Sequence, residues 1–494
     1  MNLLDGIKLN NTVTNTKGSK YYKTTYNSNL DVFTMLSRLN SEEEIIRLFN
    51  NALLEDENLA LANLLYILDI RNGKGERRLF KIIFKELCFN HVSLALKVLP
   101  FISELGRFDY ILVGIDTPIE NDVLNLIKKQ LNKDILANNP SLLAKWLPSY
   151  RTHNVNSKIA KKIMKSLNMS EKEYRKTLSS LRKKLNIVEK NLTEKNYDKI
   201  DFNYVPTKAL LKYSNCFNEN MQVKYLMYKN MVKTGDAKIN TKGLFSYEII
   251  KKIINCETLD YELYDLMWKN QKNVLENCNT NVLVMADTSG SMLFYKGLPY
   301  ATAIGLALYT AERNNGIFKN HFMTFSSEPK LCEIKGKTLK DKLSNIESIV
   351  ENTDIDEAFE LILNTAIENN LNQEDLPSHL LIISDMEFDQ GVYSKNGTNF
   401  QGWKQTFKEN GYKLPTIIFW NVAGSTKGIP ATKFDQDVGM ISGFSTNILE
   451  NLLTLDEYTP QKVMLDKLAI YLEMLKFDIN WKKKYIQDTI IFLH

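Results

Sequence analysis

Hydrophobic patterning changes character once along this chain, near residue 280, and that change limits the fold more than any single motif does. Before it, apolar residues recur at three- and four-residue intervals, the spacing that lines one face of a helix. After it come short continuous apolar runs, NVLVMA (281–286), HLLIIS (379–384) and LPTIIFWNV (414–422), each bounded by polar loops. Runs of this kind suit strands of a parallel sheet buried on both faces. The expected class is therefore α followed by α/β. Helices are predicted over 41–53, 58–70, 76–88, 92–104, 120–131, 156–167, 171–188, 207–214, 220–232, 246–255 and 260–276. They would pack as antiparallel pairs in an irregular stack, since no strict repeat period can be read. The Asn-rich LENCNT (275–280) is the predicted junction, giving domains at 1–278 and 279–458 and a C-terminal helix and tail over 459–494. In the second domain NHFMTFSS (320–327) adds a strand, VGMISGF (438–444) an edge strand, and STNILENLLTL (445–455) a closing helix capped by Ser445 or Thr446.

The strand ends carry the chemistry. NVLVMADTSGSM (281–292) breaks from a buried strand into a polar loop holding Asp287, Ser289 and Ser291, with a helical pattern following over 297–313. In open α/β sheets ligands bind beyond such carboxyl ends. HLLIISD ends in a second acid, Asp385, and ENTDIDEAF (351–359) offers Thr353 just before an amphipathic helix. Two carboxylates and three hydroxyls form an all-oxygen set, which favours Mg²⁺ or Mn²⁺ over zinc. Five groups leave room for an acidic side chain or phosphate oxygen from outside. The alternative for Asp287 and the serines is a helix N-cap and turn.

Charge is concentrated elsewhere. The net +5 hides 21 Lys and Arg against 9 Asp and Glu over 151–250. Within SKIAKKIMKSLNMSEKEYRKTLSSLRKKLNIVEKNL, Ile159, Ile163, Leu167, Leu178 and Leu181 face a core at helical spacing and basic residues fill the other faces. Tyr174, Tyr197, Tyr204, Tyr213 and Tyr225 are interleaved or follow, as stacking surfaces for unpaired bases would be. The alternative is an ordinary solvated helical face. Arg71, Lys74 and Arg77 flank two glycines in RNGKGER, where backbone amides can approach a phosphate, although the spacing is not a Walker A loop and a helix start with a turn is the favoured reading.

With 44% hydrophobic and 24% charged residues the composition is that of an ordinary globular protein. No apolar run approaches the 18 residues of a membrane span and the first 20 residues lack the pattern of a signal peptide, so a cytoplasmic, intracellular protein with no membrane partner is expected. Cys88, Cys216, Cys256, Cys278 and Cys332 are scattered without a C-x-x-C pair and read as core thiols. The isolated histidines His91, His153, His321, His379 and His494 and the absence of a G-x-S-x-G elbow speak against catalysis. The expectation is therefore no enzyme, with Glu387 and Asp389 keeping a metal-dependent phosphohydrolase as an alternative.

Residues 281 to about 455 resemble a von Willebrand factor A domain, with Asp287, Ser289, Ser291, Thr353 and Asp385 at the five positions of its metal-ion-dependent adhesion site (MIDAS). The resemblance implies a doubly wound sheet and a Mg²⁺ or Mn²⁺ ion whose open position takes an acid from a protein partner. The threonine loop departs from it, reading Glu351-Asn352-Thr353 where many members have glycines. The runs DIRNGKGERRLF (69–80), ELGRFDYIL (104–112), SLLAKWLPSY (141–150), 169–192, DFNYVPTKALLKY (201–213) and SDMEFDQ (384–390) resemble a family of unknown function with plant, fungal, bacterial and viral members. That family is similar in architecture to the Ro ribonucleoprotein autoantigens, in which an irregular ring of HEAT-like helical repeats of the TROVE type is closed by a von Willebrand A domain and binds small noncoding RNAs and misfolded RNA ends. What this implies is a ribonucleoprotein scaffold for small structured or single-stranded RNA, with Lys161, Lys162, Lys165, Arg175, Lys176, Arg182, Lys183 and Lys184 as phosphate contacts and the C-terminal tail folded back on the body. An assembly adaptor without RNA is the competing expectation.

Overall fold

A computed structural model describes residues 11–14, 20–150, 155–241, 243–257, 260–278, 280–324, 328–346, 354–388, 399–424 and 428–476. The apolar runs become a six-stranded sheet. Its strands are β3 (Val282–Ala286), β4 (His321–Thr324), β5 (Lys330–Glu333), β6 (His379–Ser384), β7 (Thr416–Asn421) and β8 (Val438–Ser442). β1 (Thr12–Thr14) and β2 (Lys20–Tyr22) form a separate antiparallel pair near the start. The sheet order is β5-β4-β3-β6-β7-β8, parallel throughout except for β5 against β4. Every residue of β3, β6 and β8 is buried, as strands covered on both faces require. Because β4 lies on one side of β3 and β6 on the other, the connections diverge between the carboxyl ends of β3 and β6, the crevice where open α/β sheets place ligands.

The chain forms two compact units, one built from Met1–Ile67, Asn72–Leu79 and Gly243–His494, the other from Leu68–Arg71 and Phe80–Lys242. This is not the split at 278 that patterning suggests. Periodicity says where helices are, but not which surface each one covers. The helix Ser246–Ile254 lies along the helix Phe294–Arg313, where Gly305 lets the backbones approach: a Cβ there would meet Ser246 at 3.3 Å. Trp268 donates through Nε1 to Glu312 at 2.8 Å, fixing the next helix, Tyr261–Lys269, on the same body. At the amino end, Tyr22 and Ile429 exchange backbone hydrogen bonds of 2.9 Å, and the helix Ser28–Met35 covers β8.

Two further expectations change near β8. The stretch 445–455 is not a closing helix but two 3₁₀ turns, Thr446–Leu449 and Leu452–Thr454, although Ser445 does cap the first through Asn447 N. The closing helix is Pro460–Lys476, from the presumed tail, and it packs on β8. β8 is the terminal strand of the sheet as expected, yet it is buried because that helix and Ser28–Met35 cover it.

The other unit is helical. Val155–Leu167 packs on Glu120–Leu136, Glu171–Lys184 on Leu143–Trp146, and Thr207–Asn220 on Gln222–Thr234. Asn168, with φ of 53°, ends one helix, and Ser170 starts the next with a capping box in which its hydroxyl accepts from Glu173 N while Glu173 accepts from Ser170 N. Gly235 closes Gln222–Thr234 in the left-handed region, φ 88°.

Candidate functional site

β3 and β6 bring Asp287 and Asp385 side by side. The pairing of Ala286 with Ile383 sets the register, and Asp287 N donates to Ile383 O at 2.9 Å. Asp287 is completely buried and each of its oxygens is engaged: Oδ1 accepts Ser289 N at 2.9 Å and Oδ2 accepts the Ser384 hydroxyl at 2.6 Å. The Ser289 and Ser291 hydroxyls lie 2.9 Å apart. Asp385 is 4% exposed and takes Glu387 N on Oδ1 at 3.0 Å, while Met386 between them has φ of 64°. Burial, and then the facing Asp385 carboxylate, push the Asp287 pKa above the usual range, and the hydrogen bonds from Ser384 and Ser289 oppose this. No cationic side chain among the described residues pairs with Asp287. Four of the five expected ligands therefore come together. Thr353 lies outside the described residues, as does Asp389.

Beyond Ser291 the chain turns through three consecutive left-handed residues, Tyr295, Lys296 and Gly297, before regular helix begins. This turn leaves Leu293, Phe294 and Tyr295 exposed at 47%, 68% and 59%, an apolar lip within a few residues of the hydroxyls. His379 stands at the opposite end of β6 from Asp385. Burial holds its pKa down to about 4, and it cannot act as a base on this cluster.

The glycine-bracketed loop is not open to a phosphate. Lys74 is fully buried, with Nζ donating to Phe33 O at 2.6 Å, Leu36 O at 3.2 Å and Ser442 Oγ at 2.7 Å. Glu76, 1% exposed, receives Arg38 through both carboxylate oxygens, at 2.7–3.1 Å. Gly75, at φ 62°, makes the reversal between them. This loop fastens the helix Ser28–Met35 to β8.

The basic block divides in the same way. The Arg182 guanidinium donates to Ala144 O and Leu147 O at 2.8 Å and to Ser149 Oγ at 2.9 Å, so it holds the carbonyls around Leu143–Trp146 together. Lys162 pairs with Asp116 and, at 2.6 Å, with Glu120. Lys184 caps the end of Glu120–Leu136 through Ala137 O at 3.1 Å, and Arg175 pairs with Glu171 at 3.5 Å. Lys161 sits over the Tyr150 ring at 5.7 Å. Lys165, Lys176 and Lys183 are exposed and have no side-chain partner among the described residues. Of the tyrosines offered for stacking, Tyr174 and Tyr225 are core residues and Tyr204 is 81% exposed.

Residues 281–482 match a family model described as Domain of unknown function (DUF7788), and residues 117–286 match Domain of unknown function (DUF2828). Uncharacterized protein L728 of Acanthamoeba polyphaga mimivirus is 30% identical, over 92% of this chain and 86% of that protein. The chain belongs to the same family as that viral protein. The solved structure of the Ro (RSR) protein of Deinococcus radiodurans is similar over 86% of this chain and 90% of that one, at 13% identity and a TM-score of 0.36, a correspondence too loose to argue from.

In this family member two features of the site escape motif reading. Ser384 orients Asp287 from the neighbouring strand, and its signal is a lone hydroxyl closing an otherwise apolar run. The lip of Leu293, Phe294 and Tyr295 depends on a left-handed turn that residue types do not announce. Among the described residues no three His, Cys, Asp or Glu side chains converge, and no helix is long and apolar enough to cross a membrane.

Proposed function

We propose that the chain is a non-enzymatic scaffold whose sheet docks an acidic group of a partner protein through Mg²⁺ or Mn²⁺ and whose helical unit carries RNA on a basic face. The observation that carries the first half is the pair of buried carboxylates, Asp287 and Asp385, at the switch point of the sheet, with two hydroxyls 2.9 Å apart beside them. Asp287 has another carboxylate as its like-charged neighbour and, among the described residues, only hydroxyl and amide donors, and an oxygen-seeking divalent cation supplies the positive charge it lacks. The donor set therefore fits the ion. Asp287, Ser289, Ser291 and Asp385 would hold it, with Thr353 as the fifth candidate. When bound, the ion offers positive charge to an incoming carboxylate. The exposed Leu293, Phe294 and Tyr295 give that partner an apolar footing beside its acid. The parallel sheet and this cluster support reading the region as a von Willebrand A domain with its adhesion site, and the irregular helices support a TROVE-like, HEAT-like unit. The RNA half is supported by the exposed Lys165, Lys176 and Lys183.

Thermal denaturation of the full chain tests the metal site. Saturating Mg²⁺ should raise the melting temperature, by the equivalent of about 2.7 kcal/mol at a hundred times Kd. Asp287→Ala should abolish the rise. A wild type indifferent to Mg²⁺ and Mn²⁺, or a rise that survives the substitution, overturns the reading.

A further inference from the structure

The helical unit contains a cleft of about 1250 Å³, larger than a small-molecule pocket, so it suits a length of chain better than a metabolite. Three runs singled out in the sequence line it, and a fourth packs behind Trp146. ELGRFDYIL supplies Arg107 and Asp109, SLLAKWLPSY supplies Trp146 and Tyr150, the stretch 169–192 supplies Arg182, and DFNYVPTKALLKY supplies Lys212. Asp109 holds Arg107 in a fork, with both bonds at 2.8 Å, and the guanidinium stacks on the Trp146 indole at 3.7 Å from its centre. Arg107 does not itself line the cleft. Trp146 lines the cleft, and Arg107 over its ring, with Lys145 Nζ 5.7 Å from the ring centre, holds the indole in place before any ligand arrives.

Charge around this platform is mildly positive. The three acids on the wall each face a cation, Glu171 with Arg175 at 3.5 Å, Glu189 with Lys145 at 3.4 Å and Glu194 with Lys190 at 3.8 Å. Arg182 and Lys212 remain in excess, and Ser149 and Ser179 add hydroxyls. A pre-set aromatic face with one or two surplus cations and several hydroxyls matches a base, its phosphate and its polar edges. A run of acidic side chains would meet the surplus cations but carries no ring to stack on the indole.

We propose that this cleft takes an unpaired segment of RNA, with one base stacked on Trp146 and Tyr150 at its rim. This rests on the RNA reading above and places that function at a site apart from the exposed lysines.

Fluorescence gives a direct test. Trp268, Trp403 and Trp420 are at most 1% exposed, and Trp481 lies outside the described residues, so the difference between wild type and Trp146→Phe isolates the Trp146 signal. A labelled single-stranded oligouridylate of about 12 nucleotides at low salt should quench that signal. Trp146→Ala should weaken binding roughly tenfold, whereas Trp146→Phe, which keeps a ring, should retain most of it. Tyr150→Ala serves as a second variant, and should weaken binding less, if Trp146→Ala melts early. If the oligonucleotide binds without quenching, is indifferent to both alanine variants, and is lost in the triple variant Lys165→Glu, Lys176→Glu, Lys183→Glu, the cleft is not the site while the RNA reading stands. If the full chain binds no RNA at low salt, both fall.

Discussion

Asp287 and Lys74 are both charged side chains with 0% exposure, and both come from loops that the sequence marks as ligand-facing. Their surroundings separate them. Lys74 has three oxygen acceptors and a nearby carboxylate, Glu76, which is itself gripped by Arg38. Asp287 has hydroxyl and amide donors, and the charge that acts on it is another carboxylate, Asp385. A buried charge answered within the protein is part of the joinery, whereas one left facing its own sign is held at a cost to the fold and points to something that arrives from outside. Burial alone cannot tell the two apart.

The largest test of this contrast is Arg38→Met. It leaves Glu76 buried without its forked partner, and the expected loss of stability is about 3–5 kcal/mol. Chemical denaturation midpoints would measure it. A loss below about 1 kcal/mol would mean that the Lys74 and Glu76 loop is not internally balanced.

A smaller effect should appear as a pH slope. Burial pulls the Lys74 pKa down to about 7, against 10.5 for an ordinary lysine, with Glu76 pulling the other way. Between those values the unfolded chain holds the proton more often than the folded one, so stability should rise with pH from about 7 towards 10.5. Over roughly the first two pH units above 7 the rise should be on the order of 2 kcal/mol. Lys74→Met should lack this contribution, and parallel denaturation series at several pH values would show whether the two slopes differ. Identical slopes would place the Lys74 ammonium in ordinary contact with water.

The smallest expected effect has the opposite sign. With divalent ions chelated, Asp287→Asn removes one of two facing carboxylates and keeps an acceptor for Ser289 N. It should therefore stabilise the protein by about 1 kcal/mol. A clear destabilisation in thermal melts would make Asp287 a structural residue of the same kind as Lys74.

Much of the site was legible because it depends on local order. An apolar run long enough to be a strand, ending in an acid, fixes where Asp287 and Asp385 emerge, and β3 and β6 end where the runs end. The basic block was less legible. Lys165 and Arg182 look alike in sequence, but the Arg182 guanidinium finds three protein oxygens across the interface with Leu143–Trp146 and Lys165 finds none among the described residues. Tyr174 has the residue type and charged surroundings of a stacking surface yet lies in the core, its hydroxyl on Pro148 O at 3.0 Å. A lone tryptophan in SLLAKWLPSY carries no sign that Arg107 will stack on it.

By itself the sequence determined most of the element types, an acid at the end of each of two buried strands and the oxygen-rich chemistry of the loops around them, because periodicity and strand length act over a few residues. Only the tertiary structure decided that the helices before Ile67 and after Gly243 belong with the sheet, that Lys74 and Arg182 are internal fastenings, and that Trp146 is oriented over a cleft. Those outcomes depend on which surfaces meet across long stretches of chain, and residue type sets whether a charge must be answered, not where its answer will come from.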